Sequence, residues 1–369
     1  MIETRTAGRV WTVRRATPAD RGAVLELTRR AFLHDAPDPK AGAIWDWIFL
    51  RNPSGARMHY LVADAGARLA GQYAVMPVRM QHEGRKVMGL LSLHTATDPD
   101  FQRQGILTTL AADLYAQAAN EAPIVFGFPN TISGPVLFGK LDWVELRPFP
   151  QLLRPIGGVR GPVRQWRPRL ERAATVVDMA APLLRLAGEA LGKLGGDRTA
   201  AVQTLDSFGG WADALWEELS PDLGTCAVRD AAMLQWRYCD SPFEYQRWAL
   251  VRGGRPTGFA VTTLEDWRGG RLARLMELMV PGSDAAGARL LLSEVIRDAA
   301  RQGAFALSAI AGRRHPHRTA MLQSGLLPVP AALAPAGGFG VRHNGPGVVP
   351  NRLFHVDDWY VSGTDLDYV

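Results

Sequence analysis

One stretch of this sequence occurs twice, and the repetition limits the folds open to the chain more than any other feature. "WIFLRNPSGARMHYLVADAGARLAGQYAV" begins at Trp47, and "WRYCDSPFEYQRWALVRGGRPTGFAV" begins at Trp236. In both copies a proline follows the tryptophan by six residues, at Pro53 and at Pro242. The repeat predicts two copies of one domain rather than a single continuous core.

The length of 369 residues suits two domains, and most of the basic charge lies between them. We predict a first domain over 1–150, a linker over 151–200 and a second domain over 201–369. The linker holds nine Lys and Arg residues against four Asp and Glu residues, so it carries +5 of the formal net charge of +6. Its first part is broken by prolines and glycines and predicts a loop, and 171–196 predicts one or two amphipathic helices. We interpret the segment as a helical connector or as a surface for a membrane or an acidic protein.

The first copy alternates strand and helix patterns. A short strand precedes Thr17 and Pro18, an N-cap and a first-turn residue, which together predict a helix over 17–33. Three strands are predicted over 59–98, followed by a helix over 105–119, a buried strand, a second helix and a last strand. This order predicts an α/β fold class of two tandem domains, each a mixed, mostly antiparallel sheet flanked by helices.

The composition excludes several classes of protein. The two cysteines, Cys226 and Cys239, form neither a disulfide framework nor a metal-ligand spacing, so we expect a reducing compartment and no metal. The N-terminus lacks the apolar core of a signal peptide, and no run of about 18 apolar residues predicts a transmembrane helix. We therefore expect a cytoplasmic protein. The basic residues are not spread with aromatic residues over one folded face, which argues against a nucleic-acid partner.

The stretch "DPDFQRQGILTTLAADLYAQA", residues 98–118, passes from a strand through a polar turn into a helix. Backbone N–H groups at the start of a helix have no intrahelical partner, and the helix dipole adds about half a positive charge there. Gly105 allows close approach because it has no Cβ, and Arg103 adds a cation. The turn is interpreted as a plain tight turn or as a diphosphate site. The candidate contacts are Gln102, Arg103, Gln104, Gly105, Ile106, Leu107 and Thr108.

Residues 10–150 resemble the GCN5-related N-acetyltransferase (GNAT) superfamily. The family signature, Q/R-x-x-G-x-G/A, lies between a fourth strand and a third helix; Gln102 and Gly105 match it, and Leu107 departs from its small third residue. The chain is most similar to tandem bacterial members, in which one copy keeps the cofactor loop. The resemblance implies that the first copy binds the diphosphate of acetyl-CoA as co-substrate. The second copy has Asp284 in place of the signature Gln, and that carboxylate would repel the diphosphate.

The resemblance also implies where the chemistry takes place. A backbone N–H of the fourth strand stabilises the thioester oxygen in the family. This implies cofactor contacts at Leu93, Thr95 and Ala96. The family's glutamate base corresponds to Leu91 and its tyrosine acid to Phe138, and neither side chain can do that work. His94 and Asp98 are the candidate catalytic residues. Strict strand alternation places His94 on the sheet face opposite to Leu91, which favours a packing role for it.

Three further groups are candidates by resemblance. Asn130 is either a contact of the pantetheine arm or a turn former. Trp45 and Asp46 are candidate acceptor-binding residues, because the family covers its acceptor pocket with this region. Some tandem members place the chain terminus in the active site, which adds the candidates Asp365, Asp367 and Val369.

The sequence predicts an N-acetyltransferase in which a small-molecule or sugar amine attacks acetyl-CoA directly. Amino sugars, polyamines and small peptide amines are all compatible acceptors, and the oligomeric state is left open. One alternative is a longer acyl donor carried on coenzyme A or on an acyl carrier protein, which the basic linker would suit. The other is a non-catalytic module that binds coenzyme A or another ligand, consistent with Leu91 and Phe138.

Overall fold

The chain folds into two compact units. The computed structural model describes residues 10–147, 150–172, 174–179, 199–330, 338–346 and 351–366. Unit 1 comprises the described residues of Met1–Arg147 and Pro335–His355, and unit 2 comprises those of Pro148–Ala334 and Val356–Val369. Unit 1 therefore combines the first part of the sequence with a later segment, and unit 2 combines the middle of the sequence with the last segment.

Unit 1 is built on one sheet. Its strands are β1 (Thr12–Arg15), β2 (His59–Asp64), β3 (Leu69–His82), β4 (Arg85–Thr97), β5 (Ile124–Gly127), β6 (Val144–Leu146) and β15 (Phe339–His343). Its α-helices are α1 (Arg21–Ala31), α2 (Ala41–Phe49), α3 (Ile106–Ala118) and α4 (Gly134–Lys140). Short 3-10 helices lie at Pro18–Asp20, Pro99–Phe101 and Asn351–Phe354.

The strands of unit 1 follow the order β1-β2-β3-β4-β5-β15-β6. Only β4 and β5 form a parallel pair along this path. A parallel pair requires a crossover connection, and α3 supplies it. Ile106, Leu110, Leu114 and Ala118 are buried at helical spacing and belong to one core with Tyr73 of β3. Truncation of the fully buried Leu110 to Ala would cost about 2–5 kcal/mol.

The start of the first helix agrees with the sequence prediction. The backbone N–H of Thr17 donates to Asp20 Oδ2 at 2.7 Å, and Pro18 begins the 3-10 turn that leads into α1. In contrast, α2 was not among the predicted elements. It buries Trp45 and Trp47, which are two residues apart and so do not form the narrow apolar stripe that identifies a helix.

Unit 2 repeats the architecture. Its strands are β7 (Gln151–Pro155), β8 (Ala200–Thr204), β9 (Cys226–Ala227), β10 (Gln246–Arg252), β11 (Arg255–Trp267), β12 (Gly270–Met279), β13 (Ala304–Ile310) and β14 (Leu327–Pro328). Its α-helices include α5 (Arg160–Trp166), α6 (Gly210–Leu219), α7 (Ala231–Tyr238), α8 (Ala285–Arg301) and α9 (Arg318–Gln323). Short 3-10 helices lie at Pro168–Leu170, Ser220–Asp222, Val356–Asp358 and Gly363–Asp365.

The second sheet has the order β14-β7-β13-β12-β11-β10-β8, with β12 and β13 parallel and the other neighbours antiparallel. Read from β8, this is the same arrangement as in unit 1 read from β1. The predicted fold class, two mixed and mostly antiparallel sheets flanked by helices, is confirmed.

The strand that follows each copy in the sequence pairs in the sheet of the other unit. β7 follows the first copy but pairs with β13 and β14 in unit 2. β15 follows the second copy but pairs with β5 and β6 in unit 1. The prediction of a loop at the start of 151–200 is therefore wrong, because β7 and α5 lie there. Strand pairing depends on which sheet edge is open, and the sequence of a strand does not indicate which edge it will join. The predicted helices over 171–196 lie mostly outside the described residues.

Candidate functional site

A bulge in β4 distorts unit 1 where the resemblance places the chemistry. Gln72 of β3 pairs with Ala96, but Ala74 pairs with Leu93, so two residues of β4 lie opposite one residue of β3. His94, in the bulge, has a φ of 49°, a left-handed conformation that is uncommon for a non-glycine residue. Such bulges bend a strand and end its pairing. The β4–β5 pairs extend only from Gly89 to Leu91 on β4, so the two strands are not paired beyond that point.

The bulge overturns the argument from strict alternation. Ser92 contacts Tyr73 of the core beneath α3, with a distance of 2.9 Å between the two hydroxyl oxygens. His94, two residues later, instead contacts Phe49 of α2 edge-on, with 5.2 Å between ring centroids. Regular alternation would place both side chains on one face. The extra residue turns His94 toward α2, so the packing role inferred from alternation loses its basis.

An aromatic cluster adjoins His94 through Phe49. Phe49 lies 4.9 Å from Tyr60 and 5.4 Å from Trp45 between ring centroids. Burial lowers the pKa of His94 to about 4, because the cluster provides little solvation for a charged imidazole. His94 is therefore neutral at pH 7. Trp45, a predicted acceptor contact, is fully buried within this cluster.

The predicted cofactor turn has the geometry of an open helix N-terminus. Gly105 is the N-cap of α3, with a φ of 74°, and its carbonyl accepts the first intrahelical bond from the Thr109 N–H at 3.0 Å. The amides of Ile106, Leu107 and Thr108 precede that bond, so they point out of the helix end. A Cβ at Gly105 would meet no atom within 4 Å, so the space in front of the turn is open.

The side chains of the turn divide between solvent and contacts with the protein. Gln102, Arg103 and Gln104 are exposed, and Arg103 has a φ of 61°. Left-handed residues such as Arg103 and Gly105 orient successive amides inward and form concave anion sites. Gln104 Oε1 accepts a hydrogen bond from Trp11 Nε1 at 3.2 Å, which fixes the turn to β1.

Asp98 does not have the surroundings of a proton acceptor. Its carboxylate is buried and pairs with Arg30 Nε at 2.9 Å. The second oxygen accepts the backbone N–H of Asp100 at 3.0 Å, and Arg68 approaches within 3.7 Å. These contacts stabilise the charged carboxylate and hold the start of the turn. We therefore assign Asp98 a structural role in place of the catalytic role expected from the sequence.

Two other candidate side chains are also used by the fold. Asp46 forms two hydrogen bonds with the guanidinium of Arg21, at 2.8 and 3.0 Å, which join α1 to α2. Asn130 Oδ1 accepts the backbone N–H groups of Ile132 and Ser133, both at 2.9 Å, and shapes the turn before α4. The turn-forming interpretation of Asn130 explains the hydrogen bonds that its side-chain oxygen accepts. Its amide nitrogen is not used in these bonds.

A chain of buried hydrogen bonds leads to β4, and the sequence analysis did not anticipate it. Trp143 Nε1 donates to the Tyr115 hydroxyl at 3.0 Å. The hydroxyls of Tyr115 and Tyr73 lie 2.6 Å apart, and Tyr73 reaches Ser92 Oγ. No sequence spacing reveals this chain, because its members come from β3, β4, α3 and the loop before β6.

The corresponding helix end in unit 2 is closed. Asp284 is the N-cap of α8, and its Oδ1 accepts the backbone N–H of Gly287 at 2.8 Å. Its other oxygen pairs with Arg252 at 2.7 Å. A carboxylate thus already occupies the place at which an anionic ligand would meet the helix.

The opening beyond the parallel strands of unit 2 is also filled. The β12–β13 pairing ends at Leu275. Gly363, near the chain terminus, lies against the next residue so closely that a Cβ there would be 2.7 Å from Met276 Cα. The cavity left between this segment and the two strands measures only about 10 Å³. A segment of unit 2 itself therefore lies against β12 just beyond the end of the β12–β13 pairing.

Asp365 lies in the same segment of unit 2 as Gly363. Arg229, which has no exposed side-chain surface, lies 2.6 Å from Asp365 Oδ2 and 2.8 Å from Glu277 Oε2. Burial alone would lower the pKa of Arg229, but the two carboxylates raise it well above its ordinary value. Burial raises the pKa of Asp365 despite that pairing. Asp365 is thus a structural partner within unit 2, and Asp367 and Val369 lie outside the described residues.

Comparison with known proteins agrees with this geometry. Residues 12–144 match the family model of the acetyltransferase (GNAT) domain. A GCN5-related N-acetyltransferase from Anabaena variabilis ATCC 29413 superposes with a TM-score of 0.59 at 11% sequence identity, over 90% of this chain and 73% of that chain. One from Kribbella flavida gives 0.57 at 16% identity, over 90% and 71%. A conserved protein of unknown function from Enterococcus faecalis V583 gives 0.58 at 10% identity, over 90% and 72%.

No curated protein matches the sequence. The family match carries the assignment, and the solved structures agree with it at the level of the fold. Residues 12–144 therefore form a domain of the GNAT superfamily. In the part of the chain that the structure describes, no helix is both long and apolar enough to span a bilayer.

Proposed function

We propose that unit 1 is an N-acyltransferase that takes acetyl-CoA as its acyl donor and an amine as its acceptor. The observation that carries the proposal is the open turn at Gly105, which follows the bulged strand β4. The three leading amides of α3 and the exposed Arg103 suit a diphosphate. The open space before Gly105 has room for that group.

The residues of β4 supply the chemistry. Acetyl-CoA, when bound, provides an acyl group activated as a thioester. A backbone N–H at the bulge, from Leu93, Thr95 or Ala96, stabilises the developing oxyanion. His94, neutral at pH 7 and turned toward α2, accepts the proton of the attacking amine. The aromatic cluster of Trp45, Phe49, Tyr60 and His94 lies on the α2 side of the strand.

The acceptor is a small-molecule or sugar amine on this proposal. A longer acyl group is the alternative donor, and the basic residues of 151–200 are the reason to include an acyl carrier protein among the donors tested. A non-catalytic coenzyme A module is the second candidate, and Phe138 favours it. Its ring packs against Gly340 and Gly134 and carries no proton for a leaving group.

Calorimetric titration with acetyl-CoA, combined with a thiol-release assay over a panel of amines, tests the proposal. We expect one coenzyme A per chain, because Asp284 closes the helix end in unit 2, and we expect thiol release with at least one amine class. Binding without release on any acceptor favours the non-catalytic module. Absence of binding contradicts both.

A further inference from the structure

The proposed reaction lacks a group to stabilise the departing sulfur, since Phe138 stands where the family has its tyrosine. The chain of buried hydrogen bonds from Trp143 ends at Ser92 of β4. Ser92 is the first residue of β4 after the last β4–β5 pair, at Leu91, and precedes the bulge by two residues. Its side chain is partly exposed, whereas those of Tyr73, Tyr115 and Trp143 are buried.

The chain has a fixed direction. An indole N–H can only donate, so Trp143 must donate to the Tyr115 oxygen. The Tyr115 hydroxyl is buried, and the only acceptor found for its hydrogen among the described residues is Tyr73, at 2.6 Å. Tyr73 must then donate to Ser92 Oγ, at 2.9 Å. Among the described residues, this is the only arrangement in which the hydrogen of each buried tyrosine hydroxyl has an acceptor.

The Ser92 hydrogen is consequently the one hydrogen of the chain not used within it. Ser92 Oγ receives the Tyr73 hydrogen and is left to donate its own. Each hydroxyl of the chain accepts a hydrogen bond from the group before it, beginning with the indole of Trp143. Each accepted bond polarises the O–H group that receives it, so the last hydroxyl, that of Ser92, is a better donor. A Cβ at Gly127 of β5 would lie 3.3 Å from Ser92 Cβ, so the glycine avoids crowding the side chain of Ser92 at the end of β5.

We propose that the Ser92 hydroxyl donates a hydrogen bond to the coenzyme A sulfur as the thioester carbon–sulfur bond breaks. This inference rests on the proposed acyl transfer in unit 1. The sulfur leaves with the electron pair of that bond as a thiolate, and the amine proton passes to the base. Ser92 keeps its hydrogen. Burial raises the pKa of Tyr73 to about 12, so the chain stays protonated while it orients Ser92.

Binding of coenzyme A and of desulfo-coenzyme A, which lacks the sulfur, isolates this contact. Both are titrated from pH 6 to 9.5 into the wild type, Ser92→Ala, Ser92→Thr and Tyr73→Phe. Free thiols ionise near pH 8.5. In the wild type the preference for coenzyme A over desulfo-coenzyme A should increase with pH as the bound thiolate forms. We expect Ser92→Ala to reduce this preference about tenfold at high pH, the effect of one hydrogen bond to a charged group.

The remaining variants separate a contact from a change in folding. Ser92→Thr keeps the hydroxyl and should restore the preference for coenzyme A. Tyr73→Phe removes the orienting donor and should reduce the preference less than Ser92→Ala does. Binding of desulfo-coenzyme A should be equal in all four proteins, because no sulfur is present.

An unchanged preference and pH dependence in Ser92→Ala, with normal binding of desulfo-coenzyme A, would overturn the role of Ser92 and leave the proposed function intact. Failure of the wild type to bind either compound would instead refute the proposed function, and the inference with it. Equal losses for both compounds in Ser92→Ala would show a structural role and overturn the inference.

Discussion

Gly105 and Asp284 hold the same position in the two units, the N-cap of the helix that connects the two parallel strands. Gly105 leaves the first amides of its helix open. Asp284 covers those of its own helix with a carboxylate. The two units share a sheet order, but only one of them presents a helix end to an anion.

Asp284 is expected to stabilise unit 2 as a helix cap. Asp284→Ala removes the side-chain acceptor of the Gly287 amide and should lower the free energy of unfolding by about 0.5–2 kcal/mol. Asp284→Asn is the matched control, because asparagine caps as well and loses only the partly exposed ion pair with Arg252. Urea unfolding measures both. Equal losses in the two variants would contradict a capping role.

Arg229 is expected to be essential to the stability of unit 2. Arg229→Met leaves the carboxylates of Glu277 and Asp365 buried without their cation, which should cost about 3–5 kcal/mol. Arg21→Met breaks the pair with Asp46, where the two side chains are 41% and 35% exposed, and should cost about 1 kcal/mol or less. Thermal melting of the two variants should differ clearly, and similar melting temperatures would refute this account of the buried cluster.

His94 sets the expected pH dependence of catalysis. The neutral imidazole is the active form, so kcat/KM, corrected for the fraction of neutral acceptor amine at each pH, should increase as pH increases through about 4 and be flat from about pH 6 to 8. His94→Asn tests the role without adding backbone strain, because asparagine tolerates a positive φ. The rate should fall by roughly 10²–10⁴-fold with acetyl-CoA affinity retained. An unchanged rate with a lower melting temperature would identify His94 as a packing residue.

The sequence predicted the fold and the strand-to-helix turn at Gly105 because both rest on local signals. Thr17 and Pro18 specify a helix start, and a single glycine between a strand and a helix specifies the turn. The exchange of β7 and β15 is not local, since a strand carries no record of the sheet edge that it will join. The bulge at His94 was not predicted for a related reason. One extra residue in a strand moves each later side chain to the sheet face opposite to the one that alternation predicts.

The side chains of the candidate site were harder to predict than its backbone. Asp46, Asp98 and Asn130 have the chemistry of functional residues, but each is bound by a partner distant in sequence or by a local turn. Ser92 and Tyr73 showed no pattern in the sequence. Their proposed role depends on a donor-only indole at Trp143, which only the folded chain brings to them.

The central claim is that the open amides of α3 bind the diphosphate of coenzyme A. Gly105→Asp and Gly105→Asn test it most directly, because both side chains tolerate the left-handed backbone of Gly105 and both can cap the helix, and they differ only in charge. Calorimetry should give a Kd for acetyl-CoA at least about tenfold weaker for Gly105→Asp than for Gly105→Asn, with a difference that shrinks as salt is added. Equal affinities in two folded variants would contradict the claim and place the diphosphate elsewhere.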